Sequence, residues 1–173
     1  MIKKKILIIS ATSNNNLDLS RKIKSLISED FDYDIEIINL EDYSFPLFTE
    51  KVFEIEKNNY SETIEKLTST MAKSSGIIFC APEYNGSIPP IVTNFIAWVS
   101  VSTKYWKDAF NNKVALISTF SGGNGEKFIS SMKLQLEHLG AIVISENIIA
   151  NNNTPLKVDS TKKILKQFIK FLN

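Results

Sequence analysis

Five short apolar runs, separated by stretches with a helical apolar rhythm, constrain this chain more than any other feature. They are Lys5–Ser10 (KILIIS), 33–40 (YDIEIINL), 76–81 (GIIFCA), 113–118 (KVALIS) and 141–145 (AIVIS). Their length and richness in Ile and Val favour strands, and the continuous runs suit parallel strands buried on both faces. Between them, 3–4 residue spacing predicts a helix over 19–28, with Leu19, Ile23, Leu26 and Ile27 on one face. A second helical pattern over 51–74 runs through Ile64, Leu67 and Met71, with a break expected near Asn58-Asn59. Further helices are expected after Pro89-Pro90, over 126–139 and over 160–172. Proline suits a first helical turn, where its missing N–H costs nothing, and Gly140 suits a helix stop.

This alternation predicts one α/β domain over 1–173, a three-layer sandwich with a five-stranded parallel sheet of order 2-1-3-4-5. Crossovers of one hand put the loops at 10–18, 82–88 and 119–125 on the carboxyl edge, where ligands bind in such sheets. Composition supports a packed, soluble domain: 43% hydrophobic and 23% charged residues, an ordinary balance. A net charge of +1 gives no reason to expect nucleic acid or an anionic membrane as partner. One cysteine forms no intrachain disulfide and fits a reducing compartment. The apolar run Ile6–Ile9 is too short for a signal peptide or a membrane span, so a cytoplasmic protein is expected.

The edge loops carry the candidate chemistry. Ser10, Thr12 and Ser13 offer hydroxyls and Asn14, Asn15 and Asn16 amides, just ahead of a helix. A helix N-terminus favours an anion by about 0.3–2 kcal/mol, although the same residues also make an ordinary capped turn. No Lys or Arg lies in this loop, and Asp18 would oppose an anion. The turn Ser121-Gly122-Gly123-Asn124-Gly125 admits close backbone approach or simply ends a strand; its spacing is not the dinucleotide fingerprint. Cys80 lies in an apolar run and His138, the lone histidine, in a last helical turn. No nucleophile–base pair or metal-binding cluster is therefore expected. Phe95, Trp98 and Trp106 read as core or subunit contact rather than a cofactor box, and Tyr105, Trp106 and Phe110 suggest that 101–112 is packed.

Residues 82–100, PEYNGSIPPIVTNFIAWVS, closely resemble the signature of the NADPH-dependent FMN reductase family, the flavodoxin-like quinone, azo and chromate reductases. That signature reads P-E-Y-N-G-S-x-P-x-x-x-K-N-x-I-D-W. LEDYSFPLF at 40–48 and Ser-Gly-Gly at 121–123 extend the resemblance to nearly the whole chain. It implies a flavodoxin-like fold and an FMN cofactor, with NADPH or NADH as co-substrate. Pro82, Glu83, Tyr84 and Asn85 would line the isoalloxazine ring, with Gly86 and Ser87 completing that loop. Ser10, Thr12, Asn14, Asn16 and Leu17 would surround the phosphate and ribityl chain; Ser121, Gly122 and Gly123 would approach the pyrimidine side.

The implied activity is hydride transfer from the nicotinamide to bound FMN, and on to a quinone-like or other small acceptor, with no catalytic side chain of the protein's own. There are departures from the family pattern. Ala11-Thr12-Ser13-Asn14 stand where G-S-x-R is usual, Thr93 replaces Lys and Ala97 replaces Asp. The missing basic residues leave open an alternative, a flavodoxin-like electron carrier that does not oxidise NAD(P)H. The family also implies a homodimer or homotetramer, with Phe95, Trp98, Tyr105 and Trp106 as candidate contacts.

Overall fold

Alternate side chains of the innermost strand point to opposite faces, and both faces are covered. In β1 (Lys5–Ser10), Ile6 and Ile8 enter one buried cluster while Leu7 and Ile9 enter another. This is the two-residue period of an extended chain, with apolar residues at both phases because helices lie on both sides. The computed structural model describes residues 3–172, so Met1, Ile2 and Asn173 of the expected domain lie outside it. Beside β1 lie β2 (Asp34–Asn39) and β3 (Ser74–Cys80), and β4 (Val114–Phe120) pairs with β3. All these pairings are parallel, and the order with β5 (Ile142–Val143) is β2-β1-β3-β4-β5, as the alternation predicts.

Helices α1 (Asn15–Asp30) and α5 (Val158–Leu172) cover the Ile6/Ile8 face through Leu19, Ile23, Ile27, Leu165, Phe168 and Ile169. Helices α2 (Glu50–Lys73), α3 (Pro90–Val101) and α4 (Glu126–His138) cover the other through Leu67, Met71, Phe95, Val99, Phe128 and Met132. Fully burying each such large side chain contributes about 1.5–3 kcal/mol. The α5 packing depends on Gly76: a Cβ there would lie 2.6 Å from Phe168 Cζ. Gly140 follows α4 at φ +86°, the left-handed stop its position predicts.

Four local readings need correction. Helix α1 starts at Asn15 rather than near Leu19, because its opening turn is mostly polar, with Leu17 its one apolar residue, and gives little hydrophobic rhythm. Helix α2 runs unbroken through Asn58-Asn59. The helix cost of asparagine is a few tenths of a kcal/mol (~0.5), and a Thr49 cap on Val52 N–H together with an Asn59–Glu56 side-chain bond offsets it. The fifth strand is divided: β5 (Ile142–Val143) pairs with the start of β4 and β6 (Ile148–Ala150) with its end. Between them the polar Ser145-Glu146-Asn147 bonds to itself rather than to β4. Finally, in the 101–112 segment Phe110 is buried, but Tyr105 and Trp106 are 65% and 47% exposed.

Candidate functional site

The aromatic stretch at 40–48 is fastened to α3 by two residues four apart on one helix face. Asn94 Oδ1 accepts from Phe48 N–H at 2.8 Å, and its Nδ2 donates to the carbonyls of Pro46 and Phe45. Trp98 Nε1 donates to Pro46 O at 2.8 Å, and its ring sits among Phe45, Phe48, Phe53 and Tyr60. Phe95 is also core. The Asn and Trp of the helix signature thus build the frame beneath the edge loops, and neither Phe95 nor Trp98 is left on the surface.

The loop after β3 is a tight hairpin. Tyr84 N–H donates to Ser87 O at 3.1 Å and Ser87 N–H to Tyr84 O at 3.0 Å. The two residues between them, Asn85 and Gly86, have φ of 51° and 70°, the type I′ geometry that Asn-Gly favours. Pro82 is buried beneath the hairpin, whereas Tyr84, Asn85 and Ser87 are exposed. Tyr84 is 49% exposed and is held at the base of the two-residue turn by both hairpin bonds.

Glu83 joins this hairpin to the glycine-rich turn. Its N–H donates to Ser121 Oγ at 2.8 Å, and its Oε2 accepts from Lys127 N–H at 3.0 Å and Phe128 N–H at 3.3 Å. The residue before α4, Gly125, has no side chain to cap the helix, so Glu83 supplies the cap from another loop. Ser121 is buried and also shares a hydrogen bond with Thr119. Gly122 and Gly123 are exposed, and a Cβ on either would meet nothing within 4 Å. The fold itself does not require glycine there. An open cleft of about 400 Å³ lies against Glu83, Ser121, Gly122, Gly123 and Lys127.

The loop between β1 and α1 reaches the same edge, with Ala11 N–H on Cys80 O at 2.9 Å. Ser10 Oγ turns inward to Thr12 O, and Thr12 is itself buried. Asn16 is buried too: its Nδ2 donates to Phe120 O at 3.0 Å and its Oδ1 accepts from Phe120 N–H at 2.9 Å. The side chains of Ser10, Asn16, Ser121 and Glu83 therefore serve the fold, so their loops offer a ligand mainly backbone groups. Asn14, exposed at the N-cap of α1, makes no side-chain cap bond, and Leu17 is half-buried in the first turn. The leading amides of α1 thus lack a side-chain cap from Asn14. Ala11 is not among the positive-φ residues, so alanine replaces the usual glycine there without strain.

Three contributors carried no sequence signal that the motif reading used. Asn151, in the turn after β6, donates to Gly123 O at 3.2 Å and accepts from the amides of Asn153 and Thr154. An Asn opening a polar turn before Pro155 is the local hint, since such side chains bond their own following backbone. Asn39, at the end of β2, and Glu41, in the turn that follows, reach Ser13; only the tertiary arrangement brings them there. Cys80 is fully buried, its Sγ 2.7 Å from Ser118 Oγ, and burial pushes its thiol up to about 11. A thiol held protonated at neutral pH is no nucleophile. His138 lies far along α4 from the edge loops and packs beside Trp106.

Whether these residues suit FMN can be judged from the donors and surfaces they present. A phosphate needs N–H and hydroxyl donors, which the start of α1 offers. A flat ring needs a rigid aromatic neighbour and an uncrowded backbone, which Tyr84 and Gly122-Gly123 offer. The residues present fit the group.

Known proteins share features of this sequence and its fold. A relative from Mycoplasma pneumoniae, itself uncharacterised, is 29% identical over 110 residues, which is 64% of this chain and 62% of that one. The chain therefore spans less than two thirds of that relative's length. Among solved structures, the flavoenzyme NAD(P)H:(acceptor) oxidoreductase FerB from Paracoccus denitrificans superposes with a TM-score of 0.76 at 17% identity, covering 98% of this chain and 97% of that one. An FMN-dependent NADH-azoreductase from Bacillus anthracis, solved with FMN, gives 0.68 at 18% identity over 98% and 100% of the two chains. A flavodoxin from the domain Archaea gives 0.65 at 10% identity over 97% and 98%. At these identities the structures establish a flavodoxin-like fold. The family described as NADPH-dependent FMN reductase matches residues 4–155, and the chain belongs to that family.

Proposed function

We propose that this protein is an FMN-dependent NAD(P)H oxidoreductase delivering electrons from NADPH or NADH to a small, quinone-like acceptor. The observation that carries the reading is the rigid Tyr84–Ser87 hairpin, joined through Glu83 to an open glycine turn and lying on the same sheet edge as the start of α1. When bound, FMN would supply the hydride chemistry. The protein's own residues bind and orient. The α1 amides and Thr12 would hold the phosphate, Leu17 would border the ribityl chain, and Pro82, Tyr84 and Asn85 would support the ring. The backbone of Ser121, Gly122 and Gly123 would meet its pyrimidine side, where preorganised N–H groups stabilise negative charge without reorganising.

Among the described residues no helix is long and apolar enough to cross a membrane, which supports a reaction in water with diffusible partners. A homodimer or homotetramer goes with the same reading. Of the four aromatics considered as contacts, only Tyr105 and Trp106 are exposed, and Val101 beside them is exposed as well. The deciding measurement is an anaerobic absorption spectrum of the FMN-loaded protein before and after each nicotinamide. Bleaching of the flavin band within the mixing time of a stopped-flow instrument is expected. Uptake of FMN without bleaching by either nucleotide would leave the electron-carrier alternative standing, and no uptake would overturn both.

A further inference from the structure

One face of α1 takes no part in the flavin slot. Asn15, Asp18, Leu19 and Lys22 recur at spacings of three and four along it, so they share one side of the helix. Opposite them stand Phe120 at the end of β4, Ala150 at the end of β6, and Leu156 beyond the Asn151 turn. Together they enclose an open cleft of about 350 Å³, a size that suits a small-molecule site. Leu19 and Ala150 are buried and Phe120 and Leu156 half-buried, so the walls are apolar. The wall across from α1 is fixed, because Asn151 ties its own turn together and donates to Gly123 O at 3.2 Å. Asn15 and Asn152 also line the cleft, both exposed, and among the described residues neither side chain makes a hydrogen bond. Lys22 is the one cation of the lining and has no carboxylate at ion-pair distance, whereas the Asp18 charge is matched by Arg21 at 2.8 Å.

We infer that this cleft is an adenosine site, so that the protein takes FAD as well as FMN, with the flavin half of either in the same slot. The inference rests on the flavin reading above and deepens it. Both cofactors carry the ribityl 5′-phosphate, which that reading sets at the start of α1. Asn15 is the first residue of α1 and also lines the cleft, so a chain that continues from that phosphate has the cleft directly before it. From Asn15 to Lys22 the helix rises about 10 Å, length enough for a ribose and a purine. Apolar walls accept the two flat faces of a purine. The Asn15 and Asn152 amides each set a donor beside an acceptor, the pattern that matches the amino and ring-nitrogen edge of adenine. Lys22 offsets the charge of the added phosphate. FMN leaves all of these groups unused.

The test is to titrate the flavin-free full chain with FMN and with FAD, following the shift of the flavin absorption band, for the wild type and for Lys22→Gln combined with Asn152→Ala. Both positions are exposed and neither side chain holds another residue in place, so the variant keeps its fold, and FMN serves as the internal reference for the slot. Wild-type protein should bind FAD at least as tightly as FMN. The double variant should weaken FAD by about tenfold or more, the scale of one charged hydrogen bond, and leave FMN unchanged. Adenosine added to the FMN-loaded, isotope-labelled chain should shift the amide resonances of Leu19, Lys22 and Asn152. Wild-type protein that binds FMN but holds FAD about tenfold more weakly overturns the inference and leaves the flavin reading intact. So does a double variant whose FAD-to-FMN ratio is unchanged, or adenosine shifts that miss the cleft. If neither flavin binds the wild type, the flavin reading itself has failed, and the inference falls with it.

Discussion

Two helices begin at the same edge of the sheet, and each has a carboxylate brought to its start from elsewhere in the chain, with different consequences. At α4, Glu83 takes two amides of the helix itself, those of Lys127 and Phe128. At α1, Glu41 takes a single amide, that of Ser13, which lies two residues before the helix. The first contact closes α4 to an outside anion and fixes the hairpin to the glycine turn. The second leaves the first turn of α1 uncapped by any side chain of its own N-cap. One helix start is therefore committed to structure, whereas the other is left without a cap from its own N-cap side chain and has a carboxylate beside it. Two ends that look alike in sequence, both polar turns entering helices, are divided by which acidic residue the fold delivers to each.

The strongest way to break this contrast is Asn16→Ala. Asn16 ties the α1 start to β4 through both polar groups of Phe120, and its loss leaves the part-buried N–H and C=O of Phe120 unpaired. A fully buried orphaned group costs about 1–3 kcal/mol; with both groups only part-buried, the lower half of that range applies to each, and a destabilisation of about 2–4 kcal/mol is expected in urea denaturation. A smaller loss, about 1–2 kcal/mol, is expected for Glu83→Ala, the scale of a helix cap. Hydrogen exchange should then quicken at the Lys127 and Phe128 amides and stay unchanged at Ser13; uniform quickening would mean that the two helix starts are not separable. The smallest effect belongs to Glu41→Gln, below about 0.5 kcal/mol in the same denaturation assay because the pair is exposed. A Glu41 effect as large as that of Glu83 would make both carboxylates structural and erase the distinction.

Much of this arrangement was legible in the sequence, for reasons particular residues make plain. The Ile-rich runs of β1, β3 and β4 carry the sheet order because burial on both faces leaves them no polar phase. The Asn85-Gly86 pair specifies its turn because both positions need positive φ. The fifth strand was only half visible: 144–147 mixes a buried Ile144 with polar residues, and nothing local says that pairing with β4 resumes at Ile148. At the site, the hydroxyl and amide residues of 10–17 were evident, but the inward turn of Ser10 and Asn16 was not. Glu41 lies 28 residues from its partner, and its role follows from strand adjacency, which a linear reading of that segment does not contain.

The divided outer strand has a further bearing. An uninterrupted strand at the border of a sheet invites a neighbouring molecule to add its own backbone. Here one border is broken after two residues and resumes only for three, while the opposite border carries Asp34 and Glu36 facing Lys5. Neither side offers a long, uncharged ladder, so lateral growth of the sheet into ribbons or fibrils is discouraged at both ends. Any contact between copies would fall instead on helix and loop surfaces such as the one bearing the exposed Tyr105 and Trp106.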